Sequence, residues 1–197
     1  MKILVACEFS GVVRRAFRER GHDAWSCDLL PAEDGDEHHL QCDVLTVLDR
    51  GWDLMVAHPP CTYLCAGGMN WINRKPEWRG KGEEAAKFVR SLMSAPIGRI
   101  AIENPVGRLS TMIRKPDQIV HPWQFGDEAN KPTCFWLTGL PLLQPTKIVS
   151  KGEFYMKANG HRLSKWSHKT SGSKADRARI ASRTFPGIAE AMATQWT

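Results

Sequence analysis

The chain opens with a short, continuous apolar run, KILVACE (Lys2 to Glu8), which predicts a strand buried on both faces of a parallel sheet. FSG (Phe9 to Gly11) turns the chain. VVRRAFRERG then sets apolar residues at helical spacing, with Gly21 as the stop. HDAWSCD predicts a second strand ending at Asp28, and Gln41 to Asp43 a short third strand followed by a helical turn. WDLMVA predicts a fourth, broken at His58 by the prolines that follow. A polar loop, Thr62 to Gly82, leads to a helix from Glu83 to Ser94. IGRIAIENP gives a fifth strand stopped by Pro105, and TCFWLTGL another near Thr133 to Leu140. Ser173 to Ser182 reads as helical, and Pro186 suits the first position of a final helix, GIAEAMATQW.

Strands alternating with helices predict an α/β fold, a doubly wound and mostly parallel sheet covered on both faces. No linker or repeat divides the 197 residues, so one domain spanning 1–197 is expected. No apolar run approaches the ~20 residues of a membrane span, and Met1 to Ala6 reads as the start of a strand rather than a leader.

Charge sharpens the picture. The net charge is +6 and the isoelectric point is near 9.1. Residues 147 to 183 hold ten Lys or Arg against two acids, Glu153 and Asp176. A basic segment of this kind suits a polyanionic partner; a solvated basic face is the alternative. The loop from Asn70 to Gly82 interleaves Arg74, Lys75, Arg79 and Lys81 with Trp71 and Trp78, a mixture suited to phosphate contact and base stacking. Six scattered cysteines without a CxxC pair point to a reducing cytoplasm and no disulfide framework. Cys27, His38, His39 and Cys42 are zinc-ligand types at a spacing that fits no standard site, so no metal is expected.

Open α/β sheets bind ligands beyond the carboxyl ends of their strands. Here those ends carry Glu8-Phe9-Ser10-Gly11, Asp28, Asp43, His58-Pro59-Pro60-Cys61 and Glu103-Asn104-Pro105. A turn plus two strand-end carboxylates describes the site of a nucleoside-containing cofactor, although each Asp also suits a local cap or turn. Cys61, after two prolines, lies in a rigid rim turn where a thiol can react; a buried structural Cys is its bland alternative. Glu103 leaves an apolar strand, where burial can raise a carboxyl pKa and make it an acid; a salt-bridged carboxylate is the competing reading.

In this order the motifs resemble those of the cytosine-C5 DNA methyltransferases. FSGVVRRAF is similar to their cofactor turn, HPPCTYL to their catalytic Pro-Pro-Cys, IENP to their Glu-Asn-Val and RTFPGIAEAMA to their closing motif. The resemblance implies a Rossmann-like methyltransferase fold that binds S-adenosylmethionine through Phe9, Ser10, Gly11, Asp28, Leu29, Asp43, Val44, Pro59 and Thr184. It implies catalysis by Cys61, Glu103, Asn104 and Lys131, with cytosine-containing DNA as partner and a compact phage-type relative as the nearest likeness. Cys61 would attack carbon 6 of cytosine while Glu103 protonates N3. The chain departs from the family pattern in three places. The first motif is short, His58 stands where glycine is usual, and Lys131-Pro132-Thr133 replaces Arg-x-Arg. A basic stretch at about 144–175 stands where a target-recognition domain would be.

Alternatives remain. The same chemistry on a free cytosine nucleotide or single-stranded DNA suits the reduced recognition region, and the short first motif suits a non-catalytic DNA-binding relative. Amino-group methylation ranks below, because Cys61 cannot stack on a base as the aromatic residue of Pro-Pro-Tyr does.

Overall fold

Alternate residues of β1 (Lys2–Ala6) bury on opposite sides of a sheet: Ile3 and Val5 join one apolar cluster, Leu4 and Ala6 the other. This is what a continuous apolar strand produces when both faces are covered. A computed structural model describes residues 1–65, 77–156, 160, 162–165, 173 and 179–197. Among the described residues, α1 (Val12–Glu19) and the C-terminal helix pack on the first face, and α2 (Glu77–Met93) covers the second. β2 (Asp23–Asp28), β3 (His39–Gln41), β4 (Leu54–Ala57) and β5 (Ile100–Pro105) follow in the same sheet. After α3 (Leu109–Met112) come β6 (Gln118–Val120) and β7 (Thr133–Thr138). A separate hairpin pairs β8 (Phe154–Met156) with β9 (Arg162–Ser164), and α4 (Pro186–Gln195) ends the chain.

The seven-stranded sheet has the order β3-β2-β1-β4-β5-β7-β6. β1 to β5 run parallel, and β7 runs antiparallel to both of its neighbours. The fold is therefore doubly wound and Rossmann-like, the class expected. Its topological switch point lies between β1 and β4, which brings the turn after β1 beside the turn after β4.

Three boundaries differ from the sequence reading. β3 occupies His39–Gln41 instead of Gln41 to Asp43, because Asp43 accepts the Leu45 amide at 3.0 Å and starts a 3₁₀ turn over Val44–Thr46. α2 begins at Glu77, ahead of the expected Glu83, anchored on the sheet by Ala86, Val89 and Leu92. β7, expected to reach Leu140, ends at Thr138, before Gly139, which has φ 63°. Trp71, Arg74, Lys75 and residues 174–178 of the expected helix from Ser173 to Ser182 lie outside the described residues. Trp78 is described, and it sets its ring against Tyr63, centroids 4.9 Å apart.

Candidate active site

Two adjoining cavities lie at the carboxyl ends of β1, β2 and β4, with Cys7 in the wall of both. The larger, about 240 Å³, is lined by Asp28, Leu29, Asp43 and Val44 together with Cys27, Cys42, Pro60 and Phe88. Leu29, Val44 and Phe88 give it apolar walls, and the two carboxylates stand at its polar rim. Each Asp also serves its own turn: Asp28 accepts the Leu30 amide at 2.9 Å, and Asp43 accepts that of Leu45. The smaller, about 50 Å³, is lined by Phe9, Ser10 and Thr184 with Glu8, His58 and Ser182. Seven of the nine expected cofactor residues thus converge on one cleft.

The other two, Gly11 and Pro59, shape it from behind. Gly11 sits in the left-handed region, φ 69°, where a Cβ would collide with Asp34 and the guanidinium groups of Arg14 and Arg15. Val12 starts α1 directly after it. Glu8, buried, caps that helix by accepting the Val13 amide at 2.7 Å and the Arg14 amide at 3.2 Å. Pro59 contributes its carbonyl, which accepts Nδ2 of the buried Asn104 at 2.9 Å.

That bond couples the end of β5 to the Pro-Pro-Cys turn. Gly107 adds to it, because a Cβ there would strike the Leu64 carbonyl, and Arg108 donates its amide to that carbonyl at 2.7 Å. Cys61 is half-buried at the head of one helical turn, with the Cys65 amide on its carbonyl at 2.9 Å. Its thiol pKa lies far above the ordinary value. The hydrogen bond with the Cys65 thiol raises it most, then burial, then the charge of Glu103, with Lys131 opposing. The thiol form is therefore favoured at rest.

Glu103 and His58 meet across β4 and β5, with Nδ1 3.0 Å from Oε2. Burial alone would raise the Glu103 carboxyl, as the sequence suggested. The hydrogen bond from His58 and the charges of His58 and Lys131 prevail, and hold it below the usual carboxylate range. Glu103 is thus hydrogen-bonded to His58 and held as a carboxylate at rest. Lys131 bridges to the C-terminal segment, donating to the Ala181 carbonyl at 2.8 Å and lying 5.9 Å from the Phe185 ring centroid.

Sequence reasoning missed Cys7, Leu45, Phe88 and Ser182 as cleft residues, and it missed the His58–Glu103 pair. Phe88 comes from a helix and Ser182 from a distant segment, so no local motif marks them. The expected absence of a zinc cluster concerned Cys27, His38, His39 and Cys42. Cys27 and Cys42 face each other, Sγ to Sγ 3.8 Å, with the Cys27 pKa pushed up to about 12 by burial first and then by Cys42. His38 instead pairs with Asp36, and His39 with the Ser26 hydroxyl.

No protein-family model and no curated protein matches this chain. Among solved structures it is similar to a chain from E. coli described as a DNA modification methyltransferase encoded within a prophage. The identity is 13% and the TM-score 0.49; the match covers 75% of this chain and 51% of that one, so this chain spans about half of its length.

Proposed function

We propose that the protein is an S-adenosylmethionine-dependent methyltransferase acting on carbon 5 of cytosine in DNA, with Cys61 as covalent nucleophile. The observation that carries this reading is one convergence. The Pro-Pro-Cys turn and the Glu-Asn strand end are hydrogen-bonded to each other, and the Pro-Pro-Cys turn borders a cleft with a carboxylate-rimmed cavity. The apolar walls and the two rim carboxylates, Asp28 and Asp43, fit an adenine ring and a ribose diol. Phe9, Ser10 and Thr184 would hold the amino-acid tail. When bound, S-adenosylmethionine supplies an electrophilic methyl group on a sulfonium.

The chain's own residues do the rest. Carbon 5 of cytosine is a weak nucleophile. Addition of the Cys61 thiolate to carbon 6, with a proton passing from Glu103 to N3, makes carbon 5 an enamine carbon. After transfer, a base takes the C5 proton, the 5,6 double bond re-forms, the Cys61 thiolate leaves, and N3 returns its proton to Glu103. Lys131 favours the anionic state of both Cys61 and Glu103 through its charge. Burial favours the protonated Glu103 carboxyl, while the His58 hydrogen bond and the charges of His58 and Lys131 oppose it, so a bound base must offset those contacts for Glu103 to act as the acid. Asn104 holds the turn that carries Cys61. A base within a duplex must be flipped out to reach these groups, costing a few kcal/mol.

The whole chain is read as one catalytic domain, with residues 144–175 in place of a recognition domain. The hairpin of β8 and β9 lies in that stretch and exposes Tyr155 and Met156 beside Arg162 and Lys165. Nucleoside mass spectrometry of DNA incubated with isotope-labelled S-adenosylmethionine tests the proposal. Labelled 5-methylcytosine is expected. Label on an exocyclic amine, or appearing only when a free cytosine nucleotide is supplied, would contradict it.

A further inference from the structure

His58 stands where the resembling family has glycine, and its ring is 7% exposed. Nδ1 lies 3.0 Å from the Glu103 carboxylate, an acceptor, so the ring carries a proton on Nδ1. Nε2 is buried and has no hydrogen-bond partner among the described residues. A buried polar nitrogen left unpaired in this way costs stability, so a native one calls for a partner. The same ring lines the smaller cavity with Cys7, Glu8, Phe9, Ser10 and Thr184. Glu8 is already committed to the amides of Val13 and Arg14. The charged and titratable groups around the ring are thus Glu103 and, behind it, Lys131 on one side, with Glu8 and the Cys7 thiol on the other.

We propose that His58 is a two-ended positioning residue: Nδ1 fixes the Glu103 carboxylate, and Nε2 takes the amino-acid tail of the cofactor in the smaller cavity. The inference rests on reading the cleft as an S-adenosylmethionine site. A neutral ring offers the cavity an acceptor and a protonated ring a donor; the tail carries an ammonium for the first and a carboxylate for the second. Occupancy of the tail site and the state of Glu103 are then linked, and the linkage is reciprocal.

Two variants separate the ends. In His58→Asn the amide nitrogen replaces Nδ1 and nothing replaces Nε2. In His58→Gln it replaces Nε2 and the bond to Glu103 is lost. Calorimetry uses two probes, S-adenosylhomocysteine and methylthioadenosine, which shares the nucleoside and lacks the tail. Carboxyl NMR on ¹³C-glutamate-labelled protein follows Glu103. His58→Asn should bind S-adenosylhomocysteine roughly tenfold more weakly, bind methylthioadenosine as wild type does, and leave the Glu103 titration nearly in place. His58→Gln should keep both affinities and move the Glu103 titration upward, since burial is then less opposed. Equal weakening of both probes by His58→Asn, or no weakening, overturns the cavity end. An unmoved Glu103 titration in His58→Gln overturns the other. Wild-type protein that binds neither probe defeats the cofactor reading and the cavity end together, while the carboxyl titration still decides whether His58 positions Glu103.

Discussion

Asn104 donates Nδ2 to the carbonyl of Pro59 at 2.9 Å, and this buried bond ties the end of β5 to the turn that carries Cys61. Strands β4 and β5 pair in parallel from Met55 and Ile100 to Ala57 and Ile102, so their exits emerge side by side. The bond then fixes how the two exits sit. Asn104→Ala removes the donor and leaves the Pro59 carbonyl without it. Urea denaturation should show a loss of roughly 1–3 kcal/mol, the usual cost of stranding a buried polar group. Stability within about 0.5 kcal/mol of wild type would mean that the bond contributes little.

The hydrogen bond between the Cys61 and Cys65 thiols is the first cause of the high pKa of Cys61. Removing it lowers that pKa, so more thiolate is present at a given pH. Cys65→Ala should therefore make Cys61 alkylate faster with iodoacetamide at pH 8, followed by peptide mass mapping, with the pH midpoint moved down. Burial and Glu103 remain, so the midpoint should stay above that of a free cysteine. A slower or unchanged rate would show that Cys65 does not restrain the nucleophile.

Arg14 is fully buried in α1, where it reaches the Ser26 hydroxyl at 2.7 Å and Asp34 at 2.5 Å. Burial pushes the Asp34 carboxyl up, but hydrogen bonds from Arg14, the Asp36 amide and Arg15 hold it below its usual range. A depressed folded-state pKa contributes stability that is complete above the unfolded value of about 3.9 and is lost as pH falls through the folded one. Arg14→Met should cost roughly 1.5–3 kcal/mol at neutral pH. The gap to wild type should narrow below about pH 4. A gap independent of pH would assign the effect to packing alone.

Much of this site was legible because buried parallel strands end abruptly. Pro59 breaks one, Asp28 closes another, and chemistry collects where the ladders stop. The wall of the cleft was readable to that extent, and the final helix was announced by Pro186. What the sequence hid is non-local or brief. β6, α3 and the β8–β9 hairpin span three or four residues each, too few to show a period. The β3 boundary moved because Asp43 spends its carboxylate on a 3₁₀ turn. Glu103 was expected as a raised-pKa acid, since its own strand is apolar. The residue that lowers it, His58, is 45 positions away in sequence and adjacent only through the pairing of β4 with β5.

The basic segment should position DNA more than read it. In the described part, Lys165 is paired with Glu153 and Arg162 lies 4.4 Å from the Phe154 ring centroid, so hairpin cations also stabilise the hairpin. Affinity for duplex DNA should fall steeply with salt, and Lys151→Ala should weaken binding equally across sequences while reducing the salt slope by about 1. Modification confined to one site of about six base pairs would instead require a set of rigid base-reading side chains.

Covalent chemistry at Cys61 is the central claim, and a mechanism-based trap addresses it most directly. Fluorine at carbon 5 cannot leave as a proton does, so a 5-fluorocytosine duplex with S-adenosylmethionine should arrest turnover with the thiol still attached to carbon 6. Intact-mass and peptide analysis should then find one oligonucleotide on Cys61. Cys61→Ala should form none, yet bind S-adenosylhomocysteine as wild type does. An adduct on Cys65, one that survives Cys61→Ala, or methylation of unfluorinated DNA without any trapped species would contradict the account.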